Sequence, residues 1–227
     1  MISAVCFDLF ETLIEPHVEL LATESAPLGI SAKEWEAVHW EEKISNDRGL
    51  GRIKTEEELI DRLCALLPFT PTKEQKNAVL QAKRERMKKC LVEVPAEILK
   101  TIRELKKRGF KIGLVSNADV CDIAAWAESP LSPFFDDAIF SCDVGLLKPD
   151  RKIYEMSLHH LGVKAENALF VGDGGSDELF GAKNAGLKTV LTECLLVREK
   201  QRRETILKSA DFRISHFSQL LDIVQSA

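Results

Sequence analysis

No apolar run in this chain of 227 residues approaches the ~18–20 residues that a membrane-spanning helix requires. A membrane partner is therefore not expected. The first apolar run is broken by Asp8, which does not suit a secretory leader, so the expected location is cytoplasmic. An excess of one charge is also lacking. With 31 Lys+Arg against 36 Asp+Glu the formal charge is −5, and no basic field would recruit nucleic acid. Cysteine pairs are absent as well: Cys6, Cys64, Cys90, Cys121, Cys142 and Cys194 stand far apart. His17, His39, His159, His160 and His216 show no ligand spacing. A zinc ribbon and a disulfide framework are thereby excluded, and reduced structural thiols are expected. No internal repeat or low-complexity tract occurs.

What is present alternates between two textures. Short, near-continuous apolar runs stand at 2–7 (ISAVCF), 111–116 (KIGLVS), 137–141 (DAIFS), 168–172 (ALFVG) and 188–192 (KTVLT). Runs of that length and pattern suit strands buried on both faces of a parallel sheet. Amphipathic segments separate them. Residues 95–109 place Ile98, Ile102 and Leu105 on one stripe, with Pro95 at the first turn and Gly109 as the stop. Residues 150–162 open on Asp150 and close on Gly162, and 177–186 end on glycine in the same way. A last strand at 211–215 precedes a C-terminal helix through Leu220, Leu221 and Val224. This alternation predicts an α/β fold with a doubly wound parallel sheet. Residues 15–94 break the rhythm with helical stretches only, too long and too patterned for a loop. They are expected to form a small helical domain inserted after the first strand. The charge runs KRERMKK and REKQRRE are expected to be solvated helix faces.

Ligands of open α/β sheets bind beyond the carboxyl ends of the strands. Asp8 follows the first predicted strand, and Ser116 and Asn117 follow the second. Lys148 follows the third, and Asp173 and Asp177 follow the fourth. A carboxylate, a hydroxyl, an amine and a carboxylate pair therefore meet at one edge. That set suits phosphoryl transfer: a carboxylate nucleophile, cations to offset the charge of the phosphate, and donors for its oxygens. Mg²⁺ would sit between Asp8 and Asp173, with Asp177 as a further acid. The expected partner is a small phosphorylated molecule.

The segments FDLFETL, LVSN, LLKPD and VGDGGSDELFGAKNAGL, in that order, resemble the four motifs of the haloacid dehalogenase superfamily. The resemblance spans the α/β part, 1–14 and 95–227, and the 15–94 insertion matches the family's helical cap over a Rossmann-like core. It implies that Asp8 is the nucleophile, Ser116 the phosphate-binding hydroxyl and Lys148 the residue that steadies both. It also implies that Asp173 binds Mg²⁺ and that residue 10 contributes its backbone carbonyl to the metal. In most family phosphatases that residue is an aspartate that protonates the leaving group; here it is Phe10.

Three readings follow. A Mg²⁺-dependent phosphohydrolase with an altered acid step would favour acyl or activated aryl phosphates, since general acid help is worth ~10²–10⁴-fold. Glu11 is then an alternative proton source, set against a turn residue in solvent. A 2-haloacid dehalogenase would also carry an aromatic at position 10, but would want an arginine such as Arg48 or Arg52 for the substrate carboxylate, and the acidic GDGGSD stretch disfavours it. A non-catalytic phospho-ligand binder would not require Asp8, Lys148 and Asp173 together. The phosphohydrolase is the expected function, with Asn117 and Arg48 also contacting substrate. Trp40 is a candidate for the rim of the cleft, and Cys6 for a buried strand position.

Overall fold

A computed structural model describes residues 1–226. Its centre is one parallel sheet of six strands: β1 (Ala4–Phe7), β2 (Lys111–Ser116), β3 (Asp137–Phe140), β4 (Ala168–Gly172), β5 (Lys188–Thr192) and β6 (Phe212–Ile214). Their spatial order is β3-β2-β1-β4-β5-β6, so the sheet is doubly wound and its order reverses between β1 and β4. Strands expected at 2–7 and 211–215 are shorter at their ends, and the other four agree to within a residue.

The apolar runs are continuous because both faces of the sheet are covered. Val5 and Phe7 join Ile112, Leu114, Leu169 and Val171 in one core cluster, while Ala4 and Cys6 join Ile139, Ala168 and Phe170 in another. Alternate residues of each strand feed opposite faces.

Between β1 and β2 run α1 (Leu21–Ser25), α2 (Ala32–His39), α3 (Glu42–Gly49), α4 (Glu56–Cys64), α5 (Lys73–Val92) and α6 (Ala96–Lys107). Polar caps start several of them. Ser31 and Glu34 form a reciprocal capping box on α2, as do Thr72 and Gln75 on α5. The helical stretch read across 32–44 is two helices, because the Glu41 side chain accepts from Ile44 N and starts α3. Trp35, Leu59, Leu63 and Val79 pack into a third apolar cluster away from the sheet.

The remaining helices are α7 (Val120–Ile123), α8 (Ser141–Val144), α9 (Arg151–Leu161), α10 (Glu178–Asn184), α11 (Lys200–Leu207) and α12 (Leu220–Ser226). Ile98, Ile102 and Leu105 of α6 bury the expected stripe, with Leu220 and Val224 of α12 on the same side of the sheet. Pro95 is the residue before α6 rather than its first helical one. Gly162 ends α9 at φ +66, a conformation that glycine adopts without the cost of a Cβ. Among the described residues no helix is long and apolar enough to cross a membrane.

Candidate functional site

The site forms where the sheet order reverses. β1 lies between β2 and β4, with Phe7 in register with Leu114 and Val171. Asp8 N continues the pairing by donating to Val171 O at 2.9 Å. Asp8 therefore stands at the centre of the strand ends, with Ser116 ending β2 on one side and Asp173 following β4 on the other. All three are buried.

Lys148 Nζ donates to Asp8 Oδ1 and, at 2.6 Å, to Glu178 Oε2. Thr12 Oγ1 donates to Asp8 Oδ2 at 3.0 Å and accepts from Asp173 N at 3.0 Å, tying the β1 and β4 loops together. Asp173 Oδ1 accepts from Gly175 N at 3.1 Å, and Asp173 Oδ2 accepts from Arg198 Nη2. Glu178 Oε1 accepts from Gly174 N at 3.0 Å. Every oxygen of Asp8, Asp173 and Glu178 thus has a partner. Gly172 leaves the room for this: a Cβ there would meet Glu178 Oε1 at 2.1 Å.

The electrostatics record crowding of negative charge. Burial pushes the Asp8 carboxyl up from its ordinary range against the pull of Lys148, and Asp173 adds to the rise. Glu178 is pushed well up by burial and by Asp8. For Lys148 burial opposes the charge, but Asp8 and Glu178 outweigh it and hold the ammonium protonated.

Ser116 Oγ is buried and has no hydrogen-bond partner. A buried hydroxyl left unpaired is uncommon, and this one ends β2, the strand next to the one that delivers Asp8. Asn117 is used differently from expectation. Its Nδ2 donates to Lys148 O at 3.1 Å and its Oδ1 accepts from Lys148 N at 2.8 Å, so its amide fixes the Lys148 backbone.

Two other expected residues depart further. Asp177 is not in the acidic cluster: its side chain is 68% exposed and 3.8 Å from Arg202. The turn before α10 carries Ser176 and Asp177 at positive φ and sends the next residue, Glu178, inward instead. Arg48 lines the cleft, but its Nη1 is paired with Asp119 at 3.1 Å and its guanidinium lies 5.3 Å from the Trp40 ring centroid. Arg52, the other candidate for a substrate carboxylate, pairs with Asp47 and is exposed. Phe10 packs against the core under the cleft. Cys6 is buried, and burial pushes its thiol up to about 12, which rules it out as a nucleophile at neutral pH.

Glu178, Thr12 and Arg198 were not anticipated. Glu178 adjoins Asp177, and only the backbone turn decides which acid faces inward. REKQRRE has the composition of a solvated helix face, yet α11 begins at Lys200, so Arg198 belongs to the loop leaving β5. There it also bonds Glu11 Oε2 at 2.8 Å. Glu11 is accordingly ion-paired rather than free in solvent, with its carboxyl raised by burial against the pull of Arg198.

The cluster opens into a cleft of about 790 Å³ whose far wall carries His39, Trp40, Arg48, Lys83 and Arg86 from the segment between β1 and β2. That volume suits a small metabolite. Asp8, Asp173 and Glu178 each offer an oxygen within 4.8 Å of the others. Such hard donors fit a divalent cation such as Mg²⁺, provided that Arg198 gives way at Asp173.

A doubly wound parallel sheet with a buried aspartate, lysine and hydroxyl at its reversal point defines a Rossmann-like α/β protein with a charged crevice. The family model of the haloacid dehalogenase-like hydrolases matches residues 2–186. The chain belongs to that family and is a hydrolase. It is 28% identical to a glyceraldehyde 3-phosphate phosphatase of Methanocaldococcus jannaschii, over 100% of this chain and 98% of that protein. It is 35% identical to the pyrophosphatase PpaX of Bacillus cereus over 59% of this chain and 61% of the relative. Among solved structures, the L-2-haloacid dehalogenase RSc1362 superposes with a TM-score of 0.71 at 22% identity, covering 99% of each chain; this likeness concerns the fold.

Proposed function

We propose that the protein is a Mg²⁺-dependent phosphohydrolase of small phosphorylated metabolites that works through an aspartyl-phosphate. The observation that carries this reading is an Asp8 oriented by Lys148 and Thr12, with an unpartnered Ser116 Oγ at the end of the neighbouring strand β2. Asp8 attacks phosphorus, and the bond to the leaving oxygen breaks with its electron pair. Water then attacks the same phosphorus, which releases inorganic phosphate and returns Asp8 as a carboxylate. Ser116 and Lys148 donate to the phosphoryl oxygens, while Glu178 anchors Lys148. Mg²⁺ held by Asp8, Asp173 and the Phe10 carbonyl would offset repulsion between two anions. We further propose that residues 15–94 act as a cap over the core of 1–14 and 95–227, a reading supported by an apolar cluster drawn from them except for Cys121 and by their share of the cleft wall. Six free cysteines, five of them buried, support a cytoplasmic setting. Both relatives described above carry names of phosphate-releasing enzymes, which supports the substrate class.

Phe10 offers no proton to a departing alkoxide. Acyl and aryl phosphates, whose leaving groups need little protonation, should therefore turn over faster than alkyl phosphates, by about 10²–10⁴-fold. A panel of these esters and of 2-haloacids, assayed with Mg²⁺ and with EDTA, tests the reading. Phosphate release should require the metal and should vanish in Asp8→Asn. Metal-free dehalogenation has one observation in its favour, since Arg198 already neutralises Asp173. Halide release that persists in EDTA would establish that alternative and sink the phosphatase.

A further inference from the structure

We infer that Arg198 and a divalent cation compete for the same oxygen, Asp173 Oδ2, so that Arg198 sets how tightly the site holds its metal. The inference rests on the metal-dependent reading above but concerns a residue to which that reading gives no role. Of the six carboxylate oxygens in the Asp8, Asp173 and Glu178 cluster, five are held by groups fixed in the fold. These are Lys148, Thr12 and the backbone N–H groups of Gly174 and Gly175. Lys148 and Thr12 are buried. The sixth oxygen is held by a side chain on the loop between β5 and α11 that is 28% exposed. Its Nε is buried without a partner, so the guanidinium is only partly satisfied where it lies.

A cation bound to Asp173 Oδ2 would displace Arg198 from that atom and then repel it. A second acceptor is already in place. Glu11 Oε2 takes the same Nη2 at 2.8 Å, from a backbone held at φ +59, a conformation that L residues other than Asn and Asp rarely adopt. Arg198 can therefore give up Asp173 and keep Glu11. Four carboxylates (Asp8, Glu11, Asp173, Glu178) face two cations (Lys148, Arg198) here, so a divalent ion reduces a surplus of negative charge, and Arg198 does so when the ion is absent.

Mn²⁺ titrated into the full-length protein, with free ion followed by electron paramagnetic resonance, tests this without any turnover. Arg198→Met should bind Mn²⁺ about tenfold more tightly than the unaltered chain, the scale of one partly screened charge removed from contact. Arg202→Met, which removes a more exposed charge beside Asp177, should leave affinity within about twofold. Glu11→Gln should weaken binding, because it removes both the alternative acceptor and a nearby negative charge. Equal affinity of Arg198→Met and the unaltered chain, or weaker binding by the variant, overturns the competition while leaving the metal reading standing. Absence of binding by every variant, with urea unfolding showing each is folded, overturns both.

Discussion

The two ends of the cleft are both built from buried charge, and they are built differently. At the far end, Lys83 meets Asp122 at 3.0 Å and Asp119 at 3.6 Å, Arg48 meets Asp119 at 3.1 Å, and Arg86 meets Glu24 at 2.5 Å. Three cations answer three carboxylates, and Trp35 Nε1 donates a further bond to Glu24 at 3.1 Å. At the near end the carboxylates outnumber the cations, and a serine hydroxyl has no partner. The far end is compensated within itself and holds helices to one another and to the α7 turn. The near end is left with two more carboxylates than cations. Buried charge alone therefore does not mark the reactive region; an imbalance at a strand end does.

This contrast predicts that the far end governs stability and the near end chemistry. Lys83→Met offers the largest expected effect on folding. It leaves Asp122 without its cation in a buried setting, which should cost about 3–5 kcal/mol. Urea unfolding reads the loss directly, and a change below about 1 kcal/mol would mean that the far end is no more than a surface ion pair.

The Glu24 carboxyl gives a second, somewhat smaller test through pH. Burial opposes its charge, but His39, Lys83 and Arg86 outweigh that and lower it from 4.5 to about 2. A group whose folded value is depressed adds stability above its unfolded value and loses it as pH falls. The contribution should therefore be complete above pH 4.5 and decline from there toward about 2. Its full size is about 3 kcal/mol, of which about 2 kcal/mol should be gone by about pH 3. Glu24→Gln should show a flatter stability curve across that interval, and parallel curves for the two proteins would remove Glu24 from the acid-sensitive set.

The sequence disclosed the two ends unequally. Strand runs such as KIGLVS were legible because burial on both faces leaves an uninterrupted apolar signature, and Asp8, Ser116 and Asp173 were legible because strand ends are where such sheets place ligands. The choice between Asp177 and Glu178 was not legible, since it depends on positive φ at both Ser176 and Asp177, which no local glycine at those positions announces. Arg198 was hidden for another reason. REKQRRE has the composition of a solvated helix, and only the start of α11 two residues later separates its first arginine from the rest. At the far end only Arg48 was legible as a candidate: Lys83 and Arg86 sit in KRERMKK, where nothing local distinguishes buried cations from their exposed neighbours. Tertiary packing alone selects Lys83, which is 1% exposed.

Ser116→Ala supplies the smallest change in folding and the cleanest separation of the two ends. Because Ser116 Oγ donates to nothing and accepts from nothing, its removal breaks no bond within the protein. Stability should stay within about 0.5 kcal/mol or rise slightly, since an unsatisfied buried polar atom is lost. The substrate feels it instead. A hydrogen bond to a charged phosphoryl oxygen is worth about 1.5–3 kcal/mol, so kcat/KM should fall about 10- to 100-fold. A fall in stability without loss of activity would mean that the hydroxyl serves the fold. Near and far ends would then differ in charge balance but not in purpose.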